Sequence, residues 1–91
     1  MLATTLDPDG RRVVLTEERW RHIKRRHPDI SRCLGDIMRA IREPDRRASG
    51  KKPFEELFFL EGVGPARWLQ VVVHYEECEG RVKTAFPRGW L

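Results

Sequence analysis

The stretch Ala66–Tyr75, "ARWLQVVVHY", decides the fold class of this 91-residue chain. Alternation divides its side chains between two faces: Leu69, Val71, Val73 and Tyr75 on one, and Trp68, Gln70, Val72 and His74 on the other. This period of two, rich in β-branched residues, predicts a strand. The turn sequences "GVGP" (62–65) and "EECEG" (76–80) border it. Short turns join antiparallel neighbours, so we expect this strand to pair with the segments on both sides.

Both neighbouring segments also predict strands. "FEELFFLE" (54–61) precedes the central strand and "RVKTAF" (81–86) follows it. Strict alternation in the last segment places Val82, Thr84 and Phe86 on one face and Arg81, Lys83 and Ala85 on the other. Before these strands, "PDRRASGKKP" (44–53) is predicted to be a basic loop or a short strand.

Two helices are predicted in the first half of the chain, after a short strand at 11–15. Thr16 is a suitable N-cap, so the first helix should run from Glu17 to about His27, ahead of Pro28. The second helix is indicated by an apolar stripe with spacings of four, three and four: Ile30, Leu34, Ile37 and Ile41. The sequence therefore predicts a single α+β domain over residues 1–91, with two N-terminal helices packed on a three- to four-stranded antiparallel sheet.

The charge distribution favours an anionic partner. The net charge is +4, and 14 of the 18 basic residues precede Phe54. Most of these residues are arginines, which bind phosphate in a bidentate manner, so nucleic acid is the expected partner, with a merely soluble surface as the alternative. The chain has neither a long apolar run nor a signal-peptide pattern, so we expect a cytoplasmic protein with no membrane partner.

The first helix separates its two histidines. On a helical wheel, His27 shares the apolar face with Trp20 and Ile23, whereas His22 lies among the basic side chains. Their i, i+5 spacing differs from the i, i+4 spacing of helical metal ligands, so neither a metal site nor a cofactor is expected. The two cysteines, Cys33 and Cys78, are far apart and are predicted to be free thiols without a catalytic role.

The two histidines of the first helix can transfer protons, and the arginines around them can bind phosphate. Such a set suffices for metal-independent RNA cleavage, in which a base activates the 2′-OH, a cation stabilises the phosphorane and an acid protonates the leaving oxygen. Structural roles remain open alternatives. His27 could serve only to cap the helix C-terminus, and His22 could be an ordinary surface residue.

Four segments together resemble a known family. "LTEERWRHIKRRHPDI" (15–30), "IREPD" (41–45), "LQVVVHY" (69–75) and "GRVKTAFP" (80–87) are similar to the phage-type members of the barnase/EndoU/colicin/RelE-like (BECR-fold) nucleases. The resemblance implies helices packed on a four-stranded antiparallel sheet and a toxin-like ribonuclease activity. It implies catalytic roles for His22, Arg26, His27 and Thr84.

The functional hypothesis is thus a small toxin-like endoribonuclease that binds RNA and that an acidic antitoxin or immunity protein could neutralise. The side chains expected to bind substrate are all basic: Arg19, Arg25, Arg46, Arg47, Lys51, Arg67 and Lys83. Thr84 and His27 are both expected at the seam between helix and sheet. The alternative is a non-catalytic module with the same fold that binds nucleic acid or another protein.

Overall fold

The computed structural model describes all residues, 1–91, as two helices on one six-stranded sheet. The elements in chain order are β1 (Ala3–Leu6), β2 (Arg12–Leu15), α1 (Glu17–Arg26), a 3-10 turn (Pro28–Ile30), α2 (Leu34–Arg42), β3 (Arg46–Ser49), β4 (Glu55–Glu61), β5 (Trp68–Glu76) and β6 (Glu79–Arg88). Neither helix is long and apolar enough to cross a membrane.

The sheet corrects the predicted fold class. Its order is β1-β2-β6-β5-β4-β3, and every neighbouring pair is antiparallel except β2 and β6, which are parallel. The expectation of N-terminal helices on a three- to four-stranded antiparallel sheet is therefore wrong, because a strand hairpin precedes the helices and the sheet is mixed. β1 is only four residues long, and the β2–β6 pairing joins segments far apart in the chain, so neither feature leaves a local sequence signal.

Local signals do determine the bounds of α1. The Thr16 side chain accepts a hydrogen bond from the backbone N–H of Arg19 at 3.1 Å, and the helix ends at Arg26, with His27 as C-cap before Pro28. α2 begins at Leu34, later than the apolar stripe predicted, because Ile30 belongs to the 3-10 turn that follows Pro28. Ile30 is nevertheless fully buried, so the stripe identified a core residue correctly.

Both helices pack on one face of the sheet and leave the other face free of helices. Leu69, Val71 and Val73 of β5 belong to the core cluster with Ile23 of α1 and Ile37 of α2. The alternate β5 residues point away from this cluster, as predicted: Trp68, Gln70, Val72 and His74. We call their side of the sheet the open face.

A β-bulge in β6 determines which side chains reach the open face. Val72 pairs with Thr84 while Val73 pairs with Val82, so Lys83 is an extra residue in β6. The extra residue reverses the alternation: Val82 is in the core cluster, but Thr84 lies beside Val72 on the open face. The predictions that Thr84 shares a face with Val82 and points to the helix–sheet seam are therefore wrong.

A polar cluster built around one buried carboxylate fastens the β1–β2 turn to the sheet. The side chain of Asp7 is fully buried and accepts hydrogen bonds from Tyr75 Oη at 2.7 Å and Arg11 Nε at 2.9 Å. Arg11 also pairs with Glu56, which pairs in turn with Arg47 at 2.7 Å. This cluster holds β4 and β5 in position at one end of the sheet.

Candidate functional site

A cleft of about 490 Å³ opens on the open face of the sheet. Its floor consists of Leu57, Val72 and Thr84, which lie side by side on β4, β5 and β6. Gln70 lies at one end of this open-face cleft, and its other walls are formed by Lys51, Glu55, His74 and Lys83. The cleft therefore combines a floor of two apolar side chains and one hydroxyl with titratable and cationic walls.

A histidine and a carboxylate are paired inside this cleft. Nε2 of His74 lies 2.7 Å from Oε2 of Glu55, and both side chains are largely shielded from solvent. Glu55 also accepts a hydrogen bond from the backbone N–H of Lys51 at 3.1 Å. These two hydrogen bonds, the one from His74 first, hold the pKa of Glu55 below its usual value. Because an ionised carboxylate only accepts, Nε2 of His74 carries the proton and Nδ1 is left to exchange one.

The ring of His74 is also oriented by packing. Phe54 lies edge-on to it, with ring centroids 5.0 Å apart and an interplanar angle of 85°. A carboxylate on one nitrogen and an aromatic edge against the ring restrict its rotation. His74 is thus positioned as a proton-transfer group requires.

Two lysines line the same cleft and form no ion pair. They are Lys51, in the turn between β3 and β4, and Lys83, the bulge residue of β6. Their ammonium groups offer charge to an anion held above the floor, and Thr84 offers a hydroxyl from the floor itself. An anionic ligand fits this electrostatic environment.

The α1 histidines lie beside β6, and neither of them lines the cleft. His22 is half-buried, and its pKa is lowered by partial desolvation and then by nearby cations, which are Arg19, Arg25, Arg26 and Lys83. His27 ends the helix with its ring centroid 5.9 Å from that of Phe86. His22 is therefore near Lys83, and His27 is near Phe86. Lys83 and Phe86 lie on either side of Thr84 in β6.

Other residues predicted to bind substrate lie outside the cleft. Arg47 is held by Glu56 and Asp9, each at 2.7 Å, in the polar cluster. Arg46 and Arg67 lie over Trp68, towards the far end of the open face. Arg19 and Arg25 stay on the outer side of α1, where they form no ion pair, and their role in binding remains a prediction.

Sequence reasoning missed the pairing of Glu55 with His74. The two residues are 19 apart in the chain, so neither predicts the other by spacing. A signal did exist in the hairpin: the register that pairs Leu60 with Leu69 around the "GVGP" turn also places Glu55 opposite His74. Extending the hairpin register from the turn would have found the pair.

A second concavity, of about 370 Å³, lies at the β5–β6 turn. Carboxylates dominate its lining, with Glu76, Glu77 and Glu79 around Cys78. Such a surface repels phosphate, so the open-face cleft is the better candidate site. No three His, Cys, Asp or Glu side chains come together in an arrangement that could hold a metal ion.

Comparison of this chain with protein-family models, with curated protein sequences and with solved structures finds no match. The candidate site therefore rests on the geometry described above.

Proposed function

We propose that this protein is a small endoribonuclease that cleaves RNA by general acid–base catalysis without a metal ion. The observation that carries the proposal is the bonded His74–Glu55 pair inside a cleft walled by Lys51 and Lys83. A proton-transfer group beside unpaired cations is what cleavage of a phosphodiester next to a 2′-OH requires.

The reaction has one nucleophile and one leaving group. A base removes the proton of the 2′-OH, the 2′-oxygen attacks the adjacent phosphorus, and the bond from phosphorus to the 5′-oxygen breaks. An acid returns a proton to that 5′-oxygen, so the products are a 2′,3′-cyclic phosphate and a 5′-hydroxyl. Lys51 and Lys83 stabilise the charge that develops on the phosphorane, and Thr84 donates a hydrogen bond to it.

We assign the two proton transfers to His74, inside the cleft, and to His22 of α1, which lies outside the cleft but within the influence of the Lys83 charge. His74 exchanges a proton through Nδ1 while Glu55 holds Nε2. His22, whose pKa is lowered by partial desolvation and nearby cations, is assigned the role of base. Arg26 and His27, which the family resemblance implicates, lie on the same α1 segment and remain proposed catalytic residues.

The test is RNA cleavage by purified variants in the presence of EDTA. His74→Gln and Glu55→Gln should each lower the cleavage rate about a hundredfold, the range of a lost acid–base group. Arg42→Ala is the matched control, because Arg42 is exposed on α2 and pairs only with Glu43. The wild type should produce 2′,3′-cyclic phosphate ends and should not cleave a 2′-deoxy substrate. Folded His74→Gln protein with wild-type activity would exclude the cleft as the catalytic site.

The second candidate function is nucleic-acid binding without cleavage. The observation that favours it is the surface of α1, which carries five cations without a single ion pair: Arg19, Arg21, Lys24, Arg25 and Arg26. Such a surface binds phosphate whether or not a reaction follows, and an acidic antitoxin or immunity protein would cover it equally well. Expression in bacteria discriminates between the functions: degraded RNA and arrested growth support the nuclease, and intact RNA at high expression supports the binding module.

A further inference from the structure

Two arginines lie over one tryptophan on the open face, beyond the cleft, and a third is its neighbour on the next strand. The guanidinium carbons of Arg46 and Arg67 lie 5.9 and 5.8 Å from the centre of the Trp68 indole. Arg88 pairs with Trp68 across β5 and β6. We call these four residues the arginine–tryptophan patch. Glu61 neutralises Arg67 at 2.7 Å, whereas Arg46 and Arg88 have no carboxylate partner, so the patch keeps a net positive charge.

The arginine–tryptophan patch is continuous with the open-face cleft. Gln70 lines the end of the cleft, and its Oε1 accepts a hydrogen bond from Arg88 at 2.7 Å. Trp68 and His74 lie on the same face of β5, six residues apart, which corresponds to about 20 Å at roughly 3.3 Å per residue. A chain molecule crossing the sheet along β5 would therefore contact both regions.

Burial distinguishes this tryptophan from a surface aromatic residue. Trp68 is only 7% exposed although no helix covers it, because the arginines and Phe59, which lies edge-on with centroids 6.4 Å apart, enclose the indole. Arg46 is itself exposed and no acid pairs with it, so its guanidinium is available to a phosphate.

We propose that the arginine–tryptophan patch binds single-stranded RNA a few nucleotides away from the bond in the cleft, and this inference rests on the proposed function. Arg46 and Arg88 contact backbone phosphates, and Arg46, by moving onto a phosphate, uncovers the indole of Trp68, which stacks on one base. Single-stranded RNA is favoured over a duplex because only an unpaired base presents its face to an indole on a sheet. The patch extends the binding surface without taking part in the reaction.

The experiment measures the affinity of non-cleavable 2′-O-methyl oligonucleotides of two lengths. A dinucleotide spans the cleft alone, whereas a hexanucleotide also reaches the patch. Arg46→Ala and Arg88→Ala should each lower the affinity for the hexanucleotide, relative to that for the dinucleotide, about tenfold. Each variant should also reduce the salt dependence of hexanucleotide binding. Arg42→Ala, an arginine replacement on α2, should leave the ratio unchanged.

The outcomes separate this inference from the proposed function. If the arginine variants lose equal affinity for the dinucleotide and the hexanucleotide, the patch is not a binding site for the longer strand. If they lose as much affinity for a hexanucleotide duplex as for the single strand, the patch is not a single-strand site. Binding of an acidic peptide to the patch, without any difference between the two RNA lengths, would also overturn the proposal. Because the oligonucleotides cannot be cleaved, a length effect without any RNase activity overturns only the nuclease. Cleavage without a length effect overturns only the patch.

Discussion

Glu55 and His74 face each other across β4 and β5, and their side chains are joined by a hydrogen bond of 2.7 Å. The bond lies in a cleft that β6 also lines, with Lys83 in its wall and Thr84 in its floor. The pair is therefore both a structural link between two strands and the proton-transfer centre of the proposed nuclease. The structural link by itself leads to a prediction about the stability of the fold in acid.

Replacement of Glu55 by Gln should make the protein less sensitive to acid. Because the folded-state pKa of Glu55 lies below its ordinary value of 4.5, its carboxylate stabilises the fold above that pH. This contribution is lost as the pH falls through the lowered pKa. Urea unfolding between pH 7 and pH 2 should show a smaller decrease in the free energy of unfolding for the variant. If the free energy of unfolding depends on pH in the same way in variant and wild type, pairing with His74 does not lower the pKa of Glu55.

Replacement of Lys83 by Met should raise the pKa of His22. The charge of Lys83 is one of those that lower this pKa, together with partial desolvation and the α1 arginines. NMR titration of the imidazole protons measures the change directly. Lys51→Met is the control, since Lys51 is not among the cations that act on His22. An unchanged His22 titration in the Lys83 variant would place the bulge too far from α1 for a shared site.

Tyr75→Phe should destabilise the fold by about 2 kcal/mol, because it removes a hydrogen bond to a buried carboxylate. Burial by itself raises the pKa of Asp7, but the hydrogen bonds from Tyr75 and Arg11 and the charge of Arg11 hold it below its usual value. Urea unfolding at pH 7 measures the loss. Arg42→Ala breaks only an exposed ion pair and should cost less than about 0.5 kcal/mol. Similar stabilities for the two variants would contradict the role assigned to the Asp7 cluster.

Deletion of Lys83 should leave the protein folded. Without the bulge residue, Val82 and Thr84 become neighbours, and simple alternation keeps Val82 in the core and Thr84 on the open face. We expect a loss of about 2 kcal/mol or less, as for an ordinary point change. Deletion of Gln70 is the contrasting variant, because it would reverse the faces of the rest of β5 and prevent folding. Circular dichroism and urea unfolding compare the two, and an unfolded Lys83 deletion would show that the bulge itself is needed.

Arg26→Ala and His27→Ala should each lower RNA cleavage about a hundredfold if α1 takes part in the reaction. Arg26 is exposed and unpaired, so its replacement should leave stability nearly unchanged. His27 contacts Phe86 and ends α1, so thermal unfolding must show that its variant is folded before the rates are compared. Full activity in both folded variants would restrict the proposed reaction to the cleft residues and His22.

Much of the local structure could be predicted from particular residues. Thr16 and Pro28 mark the ends of α1, and the alternation in "LQVVVHY" identifies both faces of β5 correctly. The sequence also predicts the last strand correctly as a strand, but not which of its side chains share a face. A bulge depends on how one strand meets its partner, and nothing within "RVKTAFP" distinguishes Lys83 as the extra residue.

The sequence by itself determined the two helices, the central strand (predicted within 66–75 and observed at Trp68–Glu76), the excess of basic charge in the first half and the presence of acid–base side chains. These properties depend on residues close together in the chain, through capping, alternation and composition. Only the tertiary structure decided the parallel pairing of β2 with β6, the position of Thr84 on the open face and the bond between Glu55 and His74. Each of these is a register between distant segments, and register follows from the packing of the whole sheet against both helices.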